Sequence, residues 1–141
     1  MGITKAEALK AVDRERGPVC EASDRIWDQP ETAFQEFHST DVLCELLEKE
    51  GFRVERNLAG IATAFSGTYG SGKPVVGILG EFDALSGLSQ ESESLEKTAL
   101  VDGAPGHGCG HNLLGTGSVA AAIAVKEYLE KNGKEGTVIF F

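Results

Sequence analysis

The run Val75-Val76-Gly77-Ile78-Leu79-Gly80 leads straight into Glu81-Phe82-Asp83. A nearly continuous apolar stretch of this length predicts a strand buried on both faces, as in sheets flanked by helices. Its C-terminal exit carries two carboxylates two residues apart. On extended backbone Glu81 and Asp83 share one face, while Phe82 turns to the core. In open α/β sheets ligands bind at the carboxyl ends of strands, so this exit is a candidate site.

Working outward, Thr4 is a cap-type residue before AEALKAVDRE, which predicts a helix with Ala8, Leu9 and Val12 on one side. Gly17-Pro18 is expected to interrupt it, with helix resuming to Trp27 and stopping at Asp28-Gln29-Pro30. A further helix, from Glu31 or Gln35 to Glu50, is expected to bury Phe37, Leu43, Leu46 and Leu47, with Gly51 just past its end. Short strands are expected at Phe52-Val54 and Ile61-Phe65. Residues 83–106 are polar and turn-rich, and SGLSQESESLEK (86–97) reads as a solvated loop. From Asn112 a strong helix is expected, with Leu114, Ala121, Val125 and Tyr128 on one face and Gly133 at its end. Thr137-Val138-Ile139-Phe140-Phe141 begins another buried strand. An apolar strand at the last residues wants a neighbour and a following element, so the chain reads as the N-terminal portion of something longer.

The chain of 141 residues is one domain's worth, long enough to bury a core. Its net charge of -9 offers no basic stripe to meet phosphates, which argues against a nucleic-acid partner. No apolar run is long enough to cross a membrane, and the N-terminus shows no secretory h-region. Three unpatterned cysteines, Cys20, Cys44 and Cys109, do not make a disulfide scaffold, so a cytoplasmic location is expected.

The segment His107-Gly108-Cys109-Gly110-His111 carries the chemistry. Three side chains that can bind a transition metal alternate with glycines, and no rule of core packing accounts for that pattern. In an extended loop residues two apart point the same way, so all three donors are expected to face one point. A thiol beside two imidazoles suits zinc or a similar metal better than magnesium or calcium. A closed structural zinc site needs a second ligand pair, and only Cys20, His38 and Cys44 remain, distant and unpaired. An open site with carboxylate help fits better. The loop leads into the N-terminus of the 112–132 helix, whose partial positive charge favours a thiolate or anionic ligand. The two segments, 81–83 and 107–111, can therefore converge at one edge of one sheet.

Two other glycine-rich stretches carry no such signal. Gly67-Thr68-Tyr69-Gly70-Ser71-Gly72-Lys73-Pro74 approaches a P-loop, but Pro74 replaces the Ser/Thr that meets magnesium and a strand follows, so a hairpin turn is expected. Gly115-Thr116-Gly117-Ser118-Val119-Ala120 mimics a dinucleotide fingerprint without a strand running into it. Small residues at Gly117, Ala120, Ala121 and Ala124 are expected to let this helix pack closely on the sheet.

Taken together, GILGEFDALSGLSQ, PGHGCGHNLLGTGSVAAA, GTVIFF and the upstream IWDQPETAFQEFHSTDVLCELLEKEGFRV resemble the M20 family of metallo-amidohydrolases, in particular its aminobenzoyl-glutamate utilisation protein B branch. The resemblance covers nearly the whole chain. It implies a three-layer α/β/α sandwich of the zinc-exopeptidase type, of which residues 1–141 form the N-terminal part of the catalytic domain, with the lid and dimerisation domain absent. It implies two divalent metal ions (Zn, Mn or Co) bridged by a water, with Cys109 and His111 as metal ligands and Asp83 as a catalytic residue that orients the site. Glu81 stands where the peptidase branches carry histidine, and His107 is not among the family's ligands. The implied reaction is hydrolysis of the amide bond of an N-acyl amino acid or p-aminobenzoyl-glutamate-like small molecule. The family's general base is a glutamate in a Pro-Ala-Glu-Glu-type segment beyond Phe141, so the 141 residues alone are expected to be inactive. The resemblance further implies a homodimer for the full-length form.

Two other readings stand beside this one. The chain can be a non-catalytic metal-binding or interaction fragment, holding one ion weakly through Cys109 and His111. It can also be a thiol hydrolase with Cys109 as nucleophile and His107 or His111 as base, although glycine spacing suits chelation more than an oriented nucleophile–base pair.

Overall fold

The computed structural model describes residues 2–141. Three helices come first: α1 (Lys5–Arg14), α2 (Arg16–Asp28) and α3 (Phe37–Lys49). They are followed by β1 (Arg53–Arg56), a 3-10 turn at Leu58–Gly60, β2 (Phe65–Ser71), β3 (Val75–Ile78), the long helix α4 (His111–Asn132) and β4 (Gly136–Phe140). The four strands form one mixed sheet in the order β1-β2-β4-β3, with β1/β2 and β2/β4 antiparallel and β3/β4 parallel. The expected α/β class is the observed one.

Local chemistry sets the helix boundaries. Thr4 and Glu7 form a reciprocal capping box at the start of α1. The interruption expected at Gly17-Pro18 falls at Glu15, between α1 and α2, and Gly17 and Pro18 lie in the first turn of α2. A proline there loses nothing, because first-turn N–H groups have no intrahelical partner. The end of α3 is a Schellman motif: Gly51 adopts φ 81°, its N–H donates to Glu48 O at 2.9 Å, and Phe52 N–H donates to Leu47 O at 3.0 Å. Phe52 and Leu47 both enter the core, as that motif favours.

One core cluster joins the layers. It includes Ile26 of α2, Val42, Leu43 and Leu47 of α3, Val119 and Ile123 of α4, and Val138 and Phe140 of β4. The helices cover the sheet face that carries Gly67, Val138 and Phe140, where Leu47 approaches Gly67 and Leu129 approaches Gly136.

Several expectations are corrected here. The strand at 75–80 is shorter and not buried: Val75 and Val76 are 56% and 44% exposed, and Leu79 is 77% exposed. The reason is topological, since β3 pairs only with β4 and lies at the sheet's edge among the described residues. Residues 71–75 do not close a hairpin, because β4 lies between β2 and β3. The strand expected at Ile61-Phe65 starts only at Phe65. Phe37 opens α3 and is 52% exposed, so the buried face begins at Ser39. In α4 the buried set is Asn112, Gly115, Thr116, Val119, Ala120 and Ala122–Ala124, not the face through Leu114 and Ala121. No described helix is long and apolar enough to cross a membrane.

Candidate metal centre

The site forms where the exit of β3 meets the first turn of α4. Beyond β3, Gly80 N–H donates to Phe141 O at 2.8 Å and Phe141 N–H donates to Ile78 O at 2.9 Å, extending the parallel register. Ala84 N–H then donates to Glu31 O at 2.7 Å, and Leu85 bridges to Gly106 through two backbone hydrogen bonds. The chain is thus held on both sides of Asp83. Close approach to α4 depends on Gly115, where a Cβ would lie 3.0 Å from Glu81 O and 3.2 Å from Phe82 Cβ. Gly115 is not among the small residues expected to allow close packing; of those, Ala120 and Ala124 are buried, Ala121 is exposed and Gly117 faces open space.

The loop itself is a tight turn and not the extended segment expected. Gly110 N–H donates to His107 O at 2.9 Å, and Gly110 adopts φ 80° as the N-cap of α4. Turning the backbone breaks the alternation that would have aimed three donors at one point, and the structure separates them. His107 is buried, with Nε2 3.2 Å from Ile26 O and its ring beside Trp27. Burial pushes its pKa below the usual value, against the opposing pull of the Ile26 carbonyl. With Nε2–H donated to that carbonyl, His107 serves as a packed structural imidazole. Cys109 is exposed at the turn and lies outside the group of converging ligand atoms.

That group consists of Glu81, Asp83 and His111, whose ligand atoms all lie within 4.8 Å of one another. His111 is the first residue of α4. Its Nδ1 lies 2.7 Å from Asp83 Oδ1, and its Nε2 lies 3.2 Å from Glu81 Oε2. The imidazole is largely covered, with 18% of its side chain accessible, while Asp83 is 28% and Glu81 65% accessible. The N-terminal end of α4 carries the positive pole of the helix dipole, which favours two carboxylates at this place.

The donor set fits a divalent metal. A histidine that ligates metal usually donates its other ring N–H to a carboxylate, which sets the tautomer and orientation. Asp83 is placed for that task at Nδ1, and Nε2 faces Glu81. Carboxylate and imidazole together suit several first-row ions. Beside them lies a cavity of ≈ 360 Å³ lined by Phe34, Ile61, Phe65 and Phe141 with Glu81 and Asp83. An apolar hollow with a few polar groups at one wall is the usual form of a small-molecule site.

Two supporting residues carried no sequence signal strong enough to single them out. Glu31 accepts hydrogen bonds from His38 N–H at 2.9 Å, Ser39 N–H at 2.8 Å and Ser39 Oγ at 2.9 Å, so it caps α3 from upstream while its carbonyl holds Ala84. Asn112 Nδ2 donates to Ser23 Oγ at 3.0 Å, tying the first turn of α4 to α2. An acidic residue shortly before a helix was the available hint for Glu31.

Comparison with known proteins supports the resemblance. The chain is 50% identical over 131 residues to one of the subunits of the p-aminobenzoyl-glutamate hydrolase of Escherichia coli (strain K12), covering 93% of this chain and 27% of that protein. It is 28% identical over 142 residues to the human (Homo sapiens) Xaa-Arg dipeptidase, covering 91% of this chain and 28% of that protein. Among solved structures, an aminohydrolase-type protein from methicillin-resistant Staphylococcus aureus superposes with a TM-score of 0.74 at 23% identity, covering 97% of this chain and 34% of the other. The Bacillus subtilis YXEP protein, a dinuclear metal-binding peptidase from the M20 family, superposes with a TM-score of 0.66 at 24% identity, covering 89% and 35%. These two structures establish the fold. No family model matches the chain. The chain spans about a quarter of the length of the curated relatives and about a third of the solved ones.

Proposed function

We propose that this chain, related to the M20 family of metallo-hydrolases by sequence and by fold, forms the metal-binding corner of a metal-dependent amidohydrolase. The proposed substrate is a small molecule with an amide bond to an amino acid, either an N-acyl amino acid or a p-aminobenzoyl-glutamate-like compound. The observation that carries the reading is His111 held between Asp83 and Glu81 at the exit of β3.

His111 would hold metal through Nε2, and Asp83 would fix the ring by accepting Nδ1–H. Cys109 is the further ligand proposed from the resemblance; its place in the adjoining turn leaves it two residues from His111. When bound, a pair of divalent ions (Zn, Mn or Co) polarises an amide carbonyl and lowers the pKa of water. The cavity wall of Phe34, Ile61, Phe65 and Phe141 offers an apolar group of the substrate a place to bind and keeps bulk water from one side. Neither the general base nor a lid is proposed among these 141 residues, and the activity is proposed for the native product that contains them.

The test is hydrolysis by the native product that contains this segment, with N-acyl amino acids and p-aminobenzoyl-glutamate as substrates. Hydrolysis lost to a chelator, restored by added Mn or Zn and abolished in His111→Ala is the expected result. Hydrolysis indifferent to chelator and lost on alkylation of Cys109 would favour the thiol-hydrolase reading instead.

A further inference from the structure

We propose that Phe34 is a specificity-determining residue, whose ring receives an aromatic acyl group of the amide in the cavity beside Asp83. Aryl amides are thereby selected over aliphatic ones. This inference rests on the amidohydrolase reading given above.

The backbone at Phe34 is held in an unusual conformation. Residues 32–35 form a tight turn in which Gln35 N–H donates to Thr32 O at 2.9 Å, and Phe34 adopts φ 66°. Turns with a positive φ at this third position normally carry glycine, because a side chain there is strained. Phe34 is kept there by its N–H, which donates to Oε1 of the buried Glu36 at 2.8 Å. The same turn is tied to the candidate site. Thr32 bridges to Ala84, and Glu31 O accepts from Ala84 N–H at 2.7 Å, one residue past Asp83.

The consequence is an exposed apolar ring at a fixed place. Phe34 is 67% exposed. Phe65 pairs with Phe82 and Phe140 in the core, whereas Phe34 stands outside that cluster. A ring so exposed adds little to the stability of the core, so packing does not offset the strain. Strained residues of this kind concentrate at ligand-binding places. The ring borders the ≈ 360 Å³ cavity that reaches Glu81 and Asp83, with Ile61, Phe65 and Phe141 on its other walls. Two aromatic rings attract each other beyond the gain from burial alone, which an alkyl chain cannot match.

Charge decides which end of the amide enters. The charged residues of the cavity are Glu36, Glu81 and Asp83. A lining of that sign repels the α-carboxylate of an amino acid. The uncharged acyl group is the part that fits, and the exposed ring favours an aromatic one.

The test uses the native product that contains this segment, with p-aminobenzoyl-glutamate and N-hexanoyl-glutamate as substrates. Equilibrium dialysis of the neutral 4-aminobenzamide reads binding without turnover. The variants are Phe34→Gly, Phe34→Leu and Phe34→Tyr. Glycine tolerates the positive φ, so Phe34→Gly removes the ring without adding strain. Phe34→Gly and Phe34→Leu are expected to weaken 4-aminobenzamide binding and lower kcat/KM for p-aminobenzoyl-glutamate by about tenfold. Phe34→Leu, which keeps apolar bulk, should leave N-hexanoyl-glutamate within about threefold of the wild type. Phe34→Tyr, which keeps a ring, should match the wild type on both substrates. Equal losses on both substrates in Phe34→Leu, or unchanged 4-aminobenzamide binding in Phe34→Gly, would overturn the aromatic role and leave the amidohydrolase reading intact. A native product that hydrolyses neither amide but binds 4-aminobenzamide through Phe34 would overturn the reaction and support the aromatic site. One that neither hydrolyses nor binds would overturn both.

Discussion

Leu85 and Gly106 exchange two backbone hydrogen bonds of 3.0 Å each, and this single bridge sets the acidic exit of β3 against the turn that opens α4. It brings together Asp83 and His111, which are 28 residues apart in sequence. The bridge depends on a glycine. A Cβ at position 106 would lie 2.0 Å from Leu88 O and 2.5 Å from its carbon, both backbone atoms with little room to move.

Gly106→Ala is therefore expected to destabilise the chain by about 1–3 kcal/mol, the usual cost of overpacking. It should also weaken metal binding, because Asp83 and His111 lose their register. Gly117→Ala is the opposite case: it is helical, with nothing within 4 Å of the added Cβ. It is expected to stabilise by about 0.5–1 kcal/mol through helix propensity. Urea midpoints at constant m-value check both.

Removing the upstream cap should be felt at the site as well. Glu31→Ala leaves the His38 and Ser39 N–H groups without their carboxylate. A loss of about 2 kcal/mol is expected, the scale of hydrogen bonds to a charged acceptor. Glu31→Gln, which keeps one acceptor oxygen, should lose less. Hydrogen exchange at those two amides would locate the effect at the start of α3.

The three cysteines should react unequally. Cys20 and Cys109 are exposed, while Cys44 is fully buried and burial pushes its thiol from 9.0 up to about 12, with Arg56 pulling weakly the other way. Two equivalents of alkylating reagent should add to the folded chain at pH 8, and three after denaturation. Added zinc should protect Cys109 if it ligates. The raised value favours the neutral thiol in the folded state, so its contribution is complete below about pH 9 and is lost as pH rises toward 12. The urea midpoint of wild type should accordingly fall more steeply with pH above 9 than that of Cys44→Ala.

Metal should stabilise the fold through the same groups. An ion present at a hundredfold over its Kd adds about 2.7 kcal/mol, which should raise Tm by several degrees. His111→Ala should abolish the shift. Asp83→Asn should reduce it, since the loss of an orienting carboxylate typically costs about 10–100-fold in affinity. A shift that persists in His111→Ala would place the ion elsewhere.

Much of the layout was legible in order and type. The caps at Thr4, Gly51 and Gly133 are local signals, because capping involves only residues within a turn of one another. Convergence of the 81–83 and 107–111 segments was legible too, as both sit at strand or helix termini. The three-donor loop was not. Alternation implies common direction only on extended backbone, and Gly110 at φ 80° bends the loop away from it, sending His107 to Ile26 and leaving Cys109 exposed. The P-loop-like stretch before Pro74 misled in the same manner, since no local pattern records that β4 will insert between β2 and β3.

By itself the sequence determined the type and order of most elements, the helix ends at Gly51 and Gly133, and the two carboxylates Glu81 and Asp83 that follow the 75–80 run. All of these follow from residue type and short-range spacing. Tertiary structure alone decided which ring nitrogen meets which carboxylate, that β3 lies at an edge with Val75 and Val76 exposed, and that His107 packs as a neutral ring against α2. Those outcomes depend on strand order and on contacts such as Gly115 against Glu81 O, between residues far apart in the chain, and local propensity carries no information about them.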